Sequence, residues 1–381
     1  MPTTPTIAPF RVAIPESDRK DLISRLANIR WPEPEVVSDW SQGVPLSYLQ
    51  ALVQNWQETY DWQACEDWLN AMGLEQVTLG SQTIVFMHVK SGSATAQPLL
   101  LTHGWPGSLL EFRSLIPLLT SAQAEQSFHL VIPCLPGFGF SGKPEAPGTG
   151  IAVIAHQFDQ LMRLLGYQEY FAHGGDWGSI ITQTLPLIPD SGVQGIHVTL
   201  PIVQPDPNTF SDLTAEEQAA LDAAAHYARW DNGYSQQQAS RPQTIGYALA
   251  DSPVGQLAWI VEKFWSWTDC EQDGIAIPDH AISRTAMLDT VSLYWFTNTA
   301  ASSARLYWES FHPTGALPAI DCPTGMSVFP FEIFKASRRW VETRFSDLRY
   351  WNTPPHGGHF AALEQPELLA QEIRACFKTM I

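Results

Sequence analysis

Apolar positions fall at helical spacing over the first part of the chain. Leu49, Leu52, Val53 and Trp56 recur every three or four residues behind Pro45, which predicts a helix over 46–59. A helix over 18–28 is stopped by Arg30-Trp31-Pro32, and another runs from Trp62 to about residue 71. From Val77 the rhythm shortens to strands. Segments 77–79 and 83–89 read as a hairpin around Gly80-Ser81, and the continuously apolar 98–102 reads as a buried central strand. A helical stretch to about residue 120, a strand at 128–132, a helix over 151–165, a strand ending at His173, a helix and a strand at 193–199 follow. Strands alternating with helices imply a mainly parallel sheet covered on both faces.

Near Pro201–Pro207 the alternation stops, and a helical block runs to about Leu317. Ser252 and Pro253 read as cap and first residue of a helix over 254–267, and 285–308 is a further helical region. Strand patterns return at 324–329 and 348–352, and a helix from Pro366 ends the chain. The expected organisation is an N-terminal extension with the first strands (1–95), a core in two parts (96–205 and 318–381), and a helical cap (206–317) inserted after the sixth strand. Such an insert belongs over the carboxyl edge of the sheet, where ligands bind.

The most informative stretch is Glu169-Tyr-Phe-Ala-His-Gly-Gly-Asp-Trp-Gly178, in which a strand, a glycine-bounded turn and a helix follow one another. This is the build of a nucleophile elbow, whose small flanking residues keep a strained central residue clear of its neighbours, and it points to the α/β-hydrolase fold. The central residue here is Asp176 rather than Ser. A carboxylate is already ionised at neutral pH, and by attacking carbon it leaves an ester on the enzyme. The bland alternative is a glycine-rich turn with an acidic helix cap.

Hydrolysing that ester requires a base and a group that orients it, in the chain order nucleophile, acid, His. His359, in Pro355-His-Gly-Gly-His-Phe360 after the last strand, occupies the position of the base; His356 beside it leaves open a two-ligand metal site. His103 precedes the nucleophile and reads as structural. Glu332, in the loop after strand 324–329, occupies the position of the orienting acid, with Asp321, Glu342, Asp347 and Asp206 as rivals. Backbone N–H groups of Trp105 and Trp177 are candidates for an oxyanion hole, with Pro106 and Gly107 setting the turn.

Composition narrows the partners. A net charge of -18 argues against nucleic acid and anionic membrane surfaces, which attract basic proteins. The five cysteines are scattered without paired spacing, which fits a reducing, cytoplasmic setting. No signal peptide or membrane-spanning run is visible at or after the opening Met-Pro-Thr-Thr.

His103-Gly-Trp-Pro-Gly-Ser108, Gly174-Gly-Asp-Trp-Gly178, Phe329-Pro-Phe-Glu332 and Gly357-Gly-His-Phe-Ala-Ala362 together resemble the microsomal-type epoxide hydrolases. Asp251-Ser-Pro-Val-Gly255, Glu262-Lys-Phe264 and Arg25-Leu through Arg30-Trp-Pro32 extend the resemblance over nearly the whole chain. It implies an N-terminal meander that wraps the core and contacts the cap, and Glu332 as the acid. It also implies two cap tyrosines that donate to the epoxide oxygen: Tyr307 in Ala304-Arg-Leu-Tyr-Trp308, and Tyr234 in Asn232-Gly-Tyr. Tyr227, Tyr247 and Tyr294 are the substitutes. The anchor helix of the membrane-bound members has no counterpart here, which implies a soluble enzyme.

The resulting expectation is metal- and cofactor-free conversion of a small apolar epoxide and water to a vicinal diol. The many aromatics in the cap point to an apolar, aryl-bearing substrate, and the resemblance implies detoxification or aromatic-hydrocarbon catabolism. Oligomeric state stays open, a homodimer included. A haloalkane dehalogenase also uses an Asp elbow followed by Trp, but has a polar halide ligand where Trp105 stands. A silent ligand-binding protein is the non-enzymatic rival. A serine esterase is disfavoured, because no Gly-x-Ser-x-Gly occurs.

Overall fold

The computed structural model describes residues 5–311 and 317–381. Residues 1–4, part of the stretch read above as lacking a signal peptide, and 312–316, within the expected cap, lie outside the described residues. The chain opens with β1 (Ala8–Pro9), α1 (Glu16–Ala27), α2 (Leu46–Glu58) and α3 (Trp62–Met72). Leu49, Leu52, Val53 and Trp56 are the buried face of α2. Asp61 caps α3 by accepting the Gln63 N–H, and Gly73 ends it at φ 71°.

The sheet follows with β2 (Glu75–Leu79), β3 (Gln82–Val89), β4 (Gln97–Thr102), β5 (Phe128–Pro133), β6 (Tyr170–Gly174) and β7 (Val193–Val198). Helices α4 (Leu115–Thr120), α5 (Ile151–Leu164) and α6 (Asp176–Thr184) lie between them in sequence. After β7 come α7 (Ala215–His226), α8 (Gly233–Ser240), α9 (Pro242–Asp251) and α10 (Pro253–Ser266). A hairpin of β8 (Glu271–Gln272) and β9 (Ile275–Ala276) then leads to α11 (Arg284–Thr297) and α12 (Ala300–Ser310). The chain returns to the sheet with β10 (Thr324–Ser327), α13 (Arg338–Val341) and β11 (Leu348–Asn352), and closes with α14 (Ala361–Glu364) and α15 (Pro366–Lys378).

Among the described residues, nine strands form one sheet in the order β1-β2-β3-β5-β4-β6-β7-β10-β11. The β1–β2, β2–β3 and β3–β5 pairs are antiparallel and the remaining pairs parallel. Alternation along β4 supplies both faces of the sheet. Leu99 and Leu101 pack with Leu119 and Phe377, whereas Leu100 packs with Phe158 and Met162. This is the α/β-hydrolase architecture expected from the sequence.

Two details differ from the sequence reading. The insert follows the seventh strand, because β1 adds a two-residue edge pairing to β2 that is too short to show alternation. The region 285–308 is two helices, separated where Asn298 turns left-handed at φ 50°, a conformation its short polar side chain tolerates. The N-terminal helices are buckled onto the insert: Tyr48 and Tyr60 donate to Asp279 and Asp289, and the Trp56 indole donates to Ser292. Among the described residues no helix is long and apolar enough to cross a membrane, and all five cysteines are buried and free.

Candidate active site

Strand β6 ends at Gly174 and α6 begins at Asp176, which is held at φ 50°. That strained conformation costs on the order of 1–3 kcal/mol, held by the packing around it. A Cβ on Gly174 would lie 2.2 Å from the Gly178 carbonyl oxygen, and one on Gly178 would lie 1.9 Å from that of Thr102. Only glycine fits on either side, so the turn can be this tight and the carboxylate stands above the sheet edge.

Asp176 Oδ1 accepts the Trp105 N–H at 2.7 Å, and Oδ2 lies 3.1 Å from His359 Nε2. His359 Nδ1 lies 2.5 Å from Glu332 Oε1. The His359 backbone N–H is fixed at 2.9 Å to the Trp267 carbonyl, and the Trp267 ring stands edge-on to the imidazole at 5.0 Å. With both ring nitrogens facing carboxylate oxygens, the imidazole serves both only as a doubly protonated cation. Burial pulls its pKa down, but the Glu332 charge and the hydrogen bond to Asp176 outweigh burial and raise it to about 10.

The rival acids are occupied elsewhere. Asp347 pairs with Arg349, Glu342 with Arg338, Asp321 accepts from Ser346, and Asp206 caps the turn at Asn208. His356 is exposed, and among the described residues no group of three or more His, Cys, Asp and Glu gathers as a metal site. His103 is buried between the Gly104 carbonyl and the Leu135 N–H. The Trp177 N–H lies in the first turn of α6, beside Asp176.

Both tyrosines named from the sequence converge on this point. The Tyr234 ring, carried by α8, stacks on Trp105 at 4.9 Å, and the Tyr307 ring, carried by α12, stands edge-on to Trp177 at 4.8 Å. The two phenols are themselves 5.8 Å apart between centroids. The Tyr307 hydroxyl is buried with no hydrogen-bond partner among the described residues, an arrangement that leaves its donor available. Burial pushes both phenols well above their ordinary pKa, so both are neutral donors. Of the substitutes, Tyr247 is exposed, Tyr294 donates to the Gly107 carbonyl, and the Tyr227 hydroxyl lies 3.3 Å from that of Tyr234.

A cavity of about 1050 Å³ opens beside this cluster, between the N-terminal extension and the insert. Trp40, Trp259, Trp265 and Phe331 line it, and Tyr234 forms part of its wall. Two neighbours escaped the sequence reading. Trp267 braces His359 as described. Glu111 lies behind the loop that carries Trp105, where a Cβ on Gly107 would meet its Oε2 at 2.1 Å. Burial pushes this carboxyl up to about 8, helped by Asp176 and opposed by His359. Its only sequence signal, Ser108-Leu-Leu-Glu111, reads as a capping box, but the Ser108 hydroxyl accepts the Leu110 N–H instead of that of Glu111.

Residues 7–112 match the family model described as epoxide hydrolase N terminus, and residues 97–247 match the alpha/beta hydrolase fold. A putative epoxide hydrolase of Stigmatella aurantiaca is 50% identical over 379 residues, covering 98% of this chain and 85% of that protein. Epoxide hydrolase 1 of Sus scrofa is 33% identical over 403 residues, covering 97% of this chain and 88% of that protein. Among solved structures, the Aspergillus niger epoxide hydrolase superposes with a TM-score of 0.89 at 30% identity, covering 99% of this chain and 97% of that one. Sequence, fold and relatives agree: the chain belongs to the epoxide hydrolase family and is an epoxide hydrolase of the α/β-hydrolase fold.

Proposed function

We propose that this epoxide hydrolase works through a covalent alkyl ester on Asp176. The observation that carries the reading is the position of this carboxylate, facing the Trp105 N–H and the His359 imidazole beneath two neutral tyrosines. Asp176 attacks an epoxide carbon from behind while Tyr307 and Tyr234 donate to the oxygen, since a strained ether leaves only when something protonates or hydrogen-bonds it. Alkylation removes the Asp176 charge, and with it one of the interactions that hold His359 protonated. The imidazole then releases its proton to solvent and, oriented by Glu332, takes one from the water that attacks the Asp176 carboxyl carbon, later passing it on to the departing diol oxygen. Backbone N–H groups of Trp105 and Trp177 hold the resulting oxyanion.

Residues 206–317 act as the lid and 1–95 as its brace, a division supported by the hydrogen bonds from Tyr48, Trp56 and Tyr60. The aromatic cavity beside Tyr234 favours an apolar, aryl-bearing epoxide, as in detoxification or aromatic-hydrocarbon breakdown. Buried free thiols fit a cytoplasmic location.

Intact-protein mass spectrometry of His359→Gln mixed with styrene oxide tests the route. An adduct of the substrate's mass should accumulate, while diol formation falls by roughly 10²–10⁴-fold, the usual contribution of a general base. Diol release at the wild-type rate, with no adduct on the protein, would reject it.

A further inference from the structure

The segment Glu262-Lys-Phe264 is absorbed by neither the triad nor the tyrosine pair. Lys263 lies on α10 and is 3% exposed, an unusual place for an ammonium. Its Nζ is 2.6 Å from Glu262 Oε2. Consecutive residues on a helix do not face each other, so this pair alone does not explain why the ammonium is drawn inward. The same Nζ lies 4.6 Å from the Tyr234 ring centroid and 5.4 Å from that of Trp267. Trp105 stacks on the Tyr234 ring and Trp267 tilts against it at 5.2 Å. The phenol is thus fixed by two indoles and has one cation over it.

We propose that Lys263 is a positioning residue for ring opening, its ammonium holding Tyr234 in place and assisting proton donation from that phenol to the epoxide oxygen. The inference rests on Tyr234 acting as a donor, as argued above. When the Asp176 oxygen bonds to carbon, the carbon–oxygen bond of the epoxide breaks and its electron pair stays on oxygen. The proton moves from the Tyr234 hydroxyl to that oxygen and leaves a phenolate. Of the groups that act on this phenol, Tyr227, Tyr307 and Asp176 carry no positive charge, and the Lys263 ammonium, 4.6 Å from the ring centroid, supplies one. The phenolate recovers a proton from the water consumed in ester hydrolysis, and the cycle balances. A cation over an aromatic face stabilises most when both are desolvated, as here.

Tryptophan fluorescence, with Trp105, Trp177 and Trp267 at the site, reports ester formation and breakdown separately in stopped flow with styrene oxide. Lys263→Met should slow ester formation by about 10- to 100-fold and leave ester hydrolysis within about threefold, and Lys263→Arg should restore ester formation to within about threefold. On a Tyr234→Phe background the Lys263→Met change should add nothing further. Lys263→Gln replaces Met if that variant does not fold, with the same expectation. Ester formation unchanged by either neutral variant, while Tyr234→Phe slows it, overturns the role of Lys263 alone. An equal loss in both steps, or a full loss on the Tyr234→Phe background, does the same. No effect of Tyr234→Phe removes the donor reading of Tyr234 and this proposal with it.

Discussion

Replacing Asp176 by Asn should turn His359 from a group with its pKa raised to about 10 into one that titrates near neutrality. Asn is neutral, like the alkyl ester, so the variant mimics the electrostatics of the intermediate. In the wild-type site Oδ2 lies 3.1 Å from Nε2, with the two side chains 14% and 1% exposed. Unit charges about 4 Å apart at an effective dielectric constant of ~20 interact by about 4 kcal/mol, which at 1.36 kcal/mol per unit is a shift of ~3 units. From about 10, His359 should fall to ~7, where a general base is most effective at neutral pH. Glu332 remains and keeps it from falling further. The assay is an NMR titration of histidine-labelled protein, with the His359 signal assigned by its loss in His359→Gln. A wild-type ring that is neutral at pH 8, or identical titrations in wild type and Asp176→Asn, would refute the reasoning. The sign for stability follows. A raised folded pKa contributes stability that is fully present below the unfolded value of about 6.5 and is lost as pH rises through the folded one. Wild type should therefore weaken up to about pH 10, whereas Asp176→Asn should complete its loss near pH ~7.

Other variants probe the surrounding structure. A Cβ at position 104 would lie 2.0 Å from Asp176 Oδ1, so Gly104→Ala should cut ester formation by ~100-fold or more, as read by stopped-flow fluorescence. Gly178→Ala places its Cβ 1.9 Å from a backbone oxygen and should cost at least ~3 kcal/mol in urea unfolding, the upper range for overpacking. Tyr307→Phe removes the unpartnered hydroxyl and should slow ester formation by roughly 10²-fold with ester hydrolysis little changed. Glu217, bonded to Arg339 and Ser337, has its pKa lowered to about 2, chiefly by Arg339. A lowered pKa contributes stability above the unfolded value that is lost as pH falls through the folded one, so wild type should lose it between pH ~4.5 and about 2. Glu217→Gln should flatten that part of an acid-unfolding curve.

What the sequence revealed and what it hid have physical causes. The elbow is legible because its steric demand is local: Gly174 and Gly178 lie within two residues of the group they make room for. Base and acid are legible from chain order, since each follows a strand that ends at the same sheet edge. The tyrosines are legible only through resemblance. Tyr227, Tyr234, Tyr247, Tyr294 and Tyr307 all sit in helical patterns, and only packing separates the exposed Tyr247 or the loop-bracing Tyr294 from the two at the site. Glu111 was masked by its place in Ser108-Leu-Leu-Glu111, which reads as an ordinary helix start. Lys263 stood out only as part of Glu262-Lys-Phe264, since helical spacing does not show that its ammonium turns inward. The break at Asn298 lay inside an otherwise continuous helical pattern, where one residue in a left-handed conformation leaves little trace in periodicity.

The central claim is that the oxygen added to the substrate comes first from Asp176 and not directly from water. A single turnover in heavy-oxygen water, with enzyme in excess over epoxide, followed by mass spectrometry of the diol and of the peptide containing Asp176, reads this directly. The account predicts unlabelled diol and one heavy oxygen in the Asp176 carboxyl group. Label in the first diol, with none on the peptide, would contradict it.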